Sequence, residues 1–240
     1  MRVVLACVVL IGVVLIGVVL IGAPLHSTFA PAGDPSSRDR PASTTASDGA
    51  APTIISQLDA LPVKGRAPRT GYSRTRFGQR WSDDVSVPYG HNGCDTRNDI
   101  LRRDLTHVVL DPASHGCVVL SGMRSDPYTG RMIAFVRGAS TSARIQIDHV
   151  VALSDAWQKG AQLWTADKRR DFANDPRNLL AVDGPANVRK GDGDAATWLP
   201  PNKSYRCSYV STQVNVKTRY GLWVTAAEKS AMRTVLASCR

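Results

Sequence analysis

No Cys-x-x-Cys occurs in this chain of 240 residues, and its absence excludes the usual thiolate zinc site. No base-reading module is recognisable, neither a zinc finger nor a helix-turn-helix. Apart from a VVLIG repeat between Val8 and Gly22 there is no internal repeat, which excludes solenoid and propeller architectures. Acidic residues are scarce: 20 Asp and Glu stand against 30 Lys and Arg, a formal net charge of +10. In the first 52 residues Arg2, Arg38 and Arg40 cancel Asp34, Asp39 and Asp48, so the excess belongs to residues 53–240. A domain this basic suits a polyanionic partner such as nucleic acid, anionic lipid headgroups or acidic wall polymers.

What is present divides the chain. Arg2 precedes an apolar run from Val3 to Leu25, and residues 1–30 read as a signal peptide or an N-terminal membrane anchor. Small residues at Thr28 to Ala30 suit cleavage and Pro31 does not, so both forms stay open. Residues 31–52, rich in Pro, Ala, Ser, Thr, Asp and Gly, read as a disordered linker. The remainder, 53–240, is the expected folded domain, secreted or extracytoplasmic and monomeric. Cys7 falls in the export segment. Cys94, Cys117, Cys207 and Cys239 make an even set in an oxidising compartment, where three pairings are possible. Joining neighbours in sequence gives Cys94–Cys117 and Cys207–Cys239.

Tyr72 to Gly93 is expected to be irregular surface. Asp95 or Thr96 is expected to cap a helix through Asp104 with Ile100 and Leu101 inward. Cys117 to Ser121 and Arg131 to Val136 flank the turn sequence Asp126 to Gly130, a hairpin pattern. The alternation in Ile145–Asp148 predicts a strand ending in the pair Asp148-His149. Ser154 is placed as cap of a helix reaching Ala161, and Thr165 as cap of another through Phe172. Asn178 to Val182 is β-like, Gly184-Pro185 opens a helix with Asn187 and Lys190, and Thr225-x-x-Glu228 is a capping box.

Asp148, His149, Asn178 and Asn187 form the constellation with chemical content. A carboxylate and an amide oxygen suit one hard cation that keeps its waters, Mg²⁺ or Mn²⁺. An adjacent imidazole titrates near neutrality and can take a proton from water. Together these groups describe phosphodiester hydrolysis. Each also has a plainer reading: Asp148 as a helix cap, His149 as a half-buried core residue, Asn178 and Asn187 as turn residues. Asp192 and Asp194 read as loop acids, and Trp157, Trp164 and Trp198 as core.

The segments DHVVALSDAW, NLLAVDGPANVRKGD, DAATWLPP, CDTRND and DPYTG resemble exported actinobacterial HNH-type endonucleases. These are ββα-metal nucleases related to a domain of unknown function in modification-dependent restriction enzymes, and the resemblance covers roughly residues 70–240. It implies an α+β fold with a ββα-metal (HNH) core, an added N-terminal hairpin and C-terminal helices. It also implies His149 as general base, Asp148 and Asn187 as metal ligands, and Asn178 as the residue that braces the loop and orients His149. Arg189 and Lys190, within a turn of Asn187, are expected to contact phosphate. Asn187 stands where many such proteins carry His, a departure that favours Mg²⁺ or Mn²⁺ over a transition metal. The expected partner is nucleic acid, DNA before RNA, with membrane contact only through an uncleaved N-terminal segment. A non-catalytic binder of nucleic acid or wall polyanion is the alternative, and a hydrolase of another phosphodiester such as teichoic acid is a third reading.

Overall fold

Short polar caps set where most helices begin. In the computed structural model, which describes residues 53–239, Thr53 caps α1 (Ile54–Ala60) and Asp95 caps α2 (Thr96–Asp104) through side-chain bonds to Ser56 N and Asn98 N. The expected export segment (1–30) and linker (31–52) lie outside the described residues, as does residue 240. β1 (Thr106–Leu110), β2 (Val119–Ser125) and β3 (Met132–Val136) form an antiparallel sheet in that order. The β2–β3 turn is held by Asp126, whose carboxylate accepts from the N–H and hydroxyl of Thr129, with Gly130 at φ 74 where a side chain would be strained.

β4 (Ile145–His149) is followed by α3 (Leu153–Gln158) and α4 (Ala166–Asn174), the latter capped by Thr165. The chain then returns as β5 (Leu179–Asp183), antiparallel to β4 with Ile145 opposite Asp183 and His149 opposite Leu179. Asp183 caps α5 (Gly184–Lys190), Pro185 occupies its first turn, and α6 (Arg206–Tyr220) and α7 (Ala226–Ala237) complete the described chain. The fold is α+β, a ββα unit of β4, β5 and α5 with a hairpin before it in sequence and helices after it. Thr225 and Glu228 form the expected capping box of α7. Both expected disulfides, Cys94–Cys117 and Cys207–Cys239, are present.

Three apolar clusters meet along the segment carrying the Asp-His pair. Ile145 and Ile147 enter one with Ile100, Leu101 and Phe135; Val150 enters another with Val182, Tyr209 and Val214. Val151 and Leu153 enter the third with Phe77, Phe172 and Tyr220. This convergence fixes the end of β4 from three directions, the rigidity that a reactive constellation needs.

Several local expectations change. Ser154 does not cap α3: the N-cap is Ala152, and the Ser154 hydroxyl donates to Asp192 Oδ2 at 2.9 Å from inside the first turn. That helix ends at Gln158 because Gly160 turns the chain at φ 129, and Ala161 belongs to a separate 3₁₀ turn. Tyr72 to Gly93 is irregular but not all surface, since Phe77 and Val85 are buried. β1 was not foreseen; its exposed pattern and register shifts hide the alternation that marks a strand. Among the described residues, no helix is long and apolar enough to cross a membrane.

Candidate active site

A strand sends successive side chains to opposite faces, and the structure uses both faces of the Asp148-His149 pair. On one face, Asp148 is buried, accepting from the Tyr128 hydroxyl on Oδ2 (2.5 Å) and from Lys190 Nζ on Oδ1 (2.8 Å). Lys190 also donates to the His149 carbonyl at 2.7 Å. On the other, His149 Nε2 lies 2.9 Å from the Ala173 carbonyl at the end of α4. A carbonyl only accepts, so Nε2 carries the proton and Nδ1 is the lone-pair nitrogen, with no hydrogen-bond partner among the described residues. Burial pushes the imidazole pKa down to about 3; the Ala173 bond opposes the shift, and the charges of Arg74, Lys190 and Arg80 add to it. The ring is neutral across the physiological range, and it is a weaker base than the expected imidazole titrating near neutrality.

Asn178 is fully buried, and both atoms of its amide are engaged: Oδ1 accepts from Val151 N at 2.8 Å and Nδ2 donates to Val151 O at 3.2 Å. Its own carbonyl accepts from Val150 N at 2.8 Å. The side chain therefore clamps the segment directly after His149 and, being fully buried, is placed to hold that segment rather than to meet substrate. Asn187, on α5, pairs with Gln146 through one amide–amide hydrogen bond, Nδ2 to Oε1 at 2.8 Å, and its Oδ1 has no hydrogen-bond partner among the described residues.

Asp148, His149 and Asn187 line one cavity of about 550 Å³, with Arg69, Arg74 and Asp192 among its other walls. Of the six predicted catalytic, metal and phosphate residues, these three meet there. Lys190, expected to contact phosphate, is buried against Asp148, where a substrate phosphate would have to displace an ion pair. Arg189 is exposed but lines neighbouring grooves rather than this cavity. The cations at the cavity wall are Arg69 and Arg74, the second inside the irregular Tyr72 to Gly93 stretch and the first just before it. Tyr128 and Gln146 were also missed as site residues. Tyr128 lies inside the DPYTG segment, and Gln146 lies two residues before Asp148 on the same strand face, a periodicity that would have found it.

The donors can be matched to a divalent ion by counting lone pairs. Asn187 Oδ1 is free, and each Asp148 oxygen keeps acceptor capacity after its single bond to Tyr128 or Lys190. One carboxylate and one amide oxygen fit a hard cation that retains water, Mg²⁺ or Mn²⁺. No cluster of three or more His, Cys, Asp or Glu suited to a metal occurs among the described residues.

Residues 95–235 match the family described as GmrSD restriction endonucleases, C-terminal domain. An "Uncharacterized secreted protein" of Arthroderma benhamiae is 39% identical over 191 residues, covering 79% of this chain and 86% of that protein. No solved structure matches. The chain belongs to the GmrSD restriction endonuclease C-terminal domain family.

Proposed function

We propose that this family member is an exported, metal-dependent nuclease that hydrolyses phosphodiester bonds in nucleic acid, DNA before RNA, and works as a monomer. The observation that carries the reading is the tautomer of His149: Nε2–H is held by the Ala173 carbonyl, and Nδ1 is left as a base in the residue that lines a cavity with Asp148 and Asn187. A neutral imidazole so held accepts a proton from water as the water oxygen bonds to phosphorus and the ester P–O bond breaks. Asn178 keeps the histidine-bearing segment in register through Val150 and Val151. Arg69 and Arg74 place positive charge where the phosphate would sit. Mg²⁺ or Mn²⁺, held by Asp148 and Asn187, would stabilise charge on the phosphate and on the leaving oxygen. The +10 charge, the two disulfides and the secreted relative support export and a polyanionic partner.

A second reading, a non-catalytic polyanion-binding module, has one observation in its favour. Lys190 already neutralises Asp148, which weakens its pull on a cation. Incubating the protein with plasmid, single-stranded DNA, RNA and a teichoic-acid phosphodiester, under Mg²⁺, Mn²⁺ or EDTA, decides between the two. Cleavage that EDTA stops and metal restores supports the nuclease. Binding with no cleavage of any substrate supports the module.

A further inference from the structure

A second cavity, of about 380 Å³, opens beside the first and shares Arg74, His149 and Leu153 with it. Its character is different. Phe77, Trp81 and Ala173 give it apolar walls, and Arg74 and Arg80, both exposed, supply positive charge at its lining. The Trp81 indole lies nearly parallel to the His149 imidazole, at 10° with centroids 6.0 Å apart. Trp81 also sits at φ 56, a conformation uncommon for a bulky residue and one that marks a position fixed by its surroundings.

The cavity also has an unanswered hydrogen-bond acceptor. Asn174, only 1% exposed, lines it and donates through Nδ2 to the Arg170 carbonyl at 2.9 Å, so the orientation of the amide is fixed. Its Oδ1 is buried with no partner. Buried acceptors are normally satisfied, and an unanswered one on a residue that lines a ligand-sized cavity suits a ligand with an N–H. The wanted occupant is therefore planar, largely apolar on its faces, equipped with an N–H on its edge, and attached to negative charge.

We infer that this cavity receives an unstacked nucleobase next to the scissile phosphate, with the base on Trp81, its N–H on Asn174 Oδ1, and the flanking phosphate on Arg74 and Arg80. The inference rests on the nuclease reading for the phosphate alone. It names the substrate class: single-stranded or locally opened nucleic acid, because a base inside an intact duplex cannot enter without leaving its stack. Every base has a flat face and an N–H donor, so the cavity confers strandedness without sequence.

Stacking on an aromatic side chain is worth about 5- to 150-fold per base. The experiment compares kcat/KM for a single-stranded oligonucleotide, the same strand in a blunt duplex, and the strand with one abasic residue flanking the mapped cut, in DNA and RNA versions. The wild type should favour the intact strand over the other two by that factor. Trp81→Ala should erase the preference and Trp81→Phe should keep most of it. Equal rates on strand and duplex, or a preference untouched in a Trp81→Ala protein that melts like the wild type, would overturn the inference. Should Trp81→Ala not fold, the abasic strand decides alone: cleavage as fast as the intact strand overturns it. Should no nucleic acid be cleaved, the nuclease reading has failed separately. Tryptophan quenching in EDTA then decides for the cavity. Quenching by single strands but not duplex, reduced in Trp81→Phe, supports it; its absence overturns it.

Discussion

Two groups of buried lysines hold carboxylates in this chain, and they differ in what they leave unpaired. Lys159 and Lys217, both with wholly buried side chains, lie among Asp155, Asp194 and Glu228 at 2.6–3.0 Å. Arg66 adds contacts of 2.7 Å to Asp194 and 3.3 Å to Asp155, so three cations face three carboxylates. Burial alone would lower the Lys217 pKa, but Asp155 and Glu228 overcome it and hold the ammonium well above its usual range. At the candidate site one lysine faces one aspartate, and Asn187 Oδ1 and His149 Nδ1 stay unengaged nearby. The first arrangement is closed and ties α3, α6, α7 and the segment after α5 together. The second keeps the open valences that binding and proton transfer require. In one molecule, charge neutralised deep inside marks framework, even though Asp155 Oδ1 and Glu228 Oε1 have ion-pair contacts without a hydrogen bond, and open valences at a cavity mark the place proposed for binding.

The sharpest separation of the two regions comes from His149→Ala. Loss of a general base should cut cleavage by about two to four orders of magnitude, while urea midpoints and nucleic-acid binding in EDTA stay near wild type. A folded variant that cleaves normally removes His149 from the chemistry. The opposite pattern is expected of Lys217→Met. Removing one partner of a buried ion cluster leaves uncompensated charge and costs about 3–5 kcal/mol of stability, read from equilibrium unfolding. Below the melting point that variant should still cut. A Lys217→Met protein as stable as its parent would show that the cluster is not what holds these helices.

Legibility in the sequence followed the same division. Asp148, His149, Asn178 and Asn187 were readable because their order and spacing reflect the local chain path of β4, β5 and α5. The paired cysteines and the Thr225–Glu228 cap were readable for the same reason, since each depends on near neighbours. Of the ionic cluster, only the i, i+4 spacing of Asp155 and Lys159 is local enough to leave such a trace. Lys159 and Lys217 stand 58 positions apart by their numbers and meet only when α6 packs beside α3. Nothing local shows that Lys190, expected at phosphate, is buried and turned toward Asp148. Trp81 and Asn174 escaped notice because nothing local distinguishes a cavity wall from an ordinary loop or helix end.

Acid should expose the framework before it touches any covalent feature. Burial alone would raise the Asp194 pKa, yet the Lys159 hydrogen bond and charge, with Arg66, bring it down to about 2. A carboxylate depressed in the folded state binds its proton more readily when unfolded. Its contribution is thus complete above the unfolded value of about 3.8 and disappears as pH falls through about 2. Asp155 is lowered as well, by Lys217 and Lys159 against its own desolvation, so it loses stability in the same direction. Urea unfolding from pH 5 to pH 2 should show a decline on the order of 2 kcal/mol or more. An Asp194→Asn variant should lose stability at neutral pH and show a shallower acid slope; an unchanged slope would place the acid-labile groups elsewhere.

The smallest expected effect tests the border between the two regions, at Asn178. Its amide answers a buried N–H and a buried carbonyl of Val151, yet it makes no hydrogen bond to the His149 ring and does not line the cavity. Asn178→Ala would leave the Val151 N–H unpaired, a loss on the order of 1 kcal/mol if a water enters the vacated volume. A purely structural residue would stop there. A residue that positions the general base should also lower kcat while KM changes little, because the phosphate contacts at Arg69 and Arg74 are untouched. Imidazole nitrogen chemical shifts report the same thing without turnover. The wild type should show a protonated Nε2 and a bare Nδ1, and Asn178→Ala should blur that assignment as the Ala173 bond loosens. If stability falls but kcat and the ¹⁵N shifts do not move, Asn178 belongs with the closed ionic cluster as framework, and the histidine is oriented by Ala173 alone.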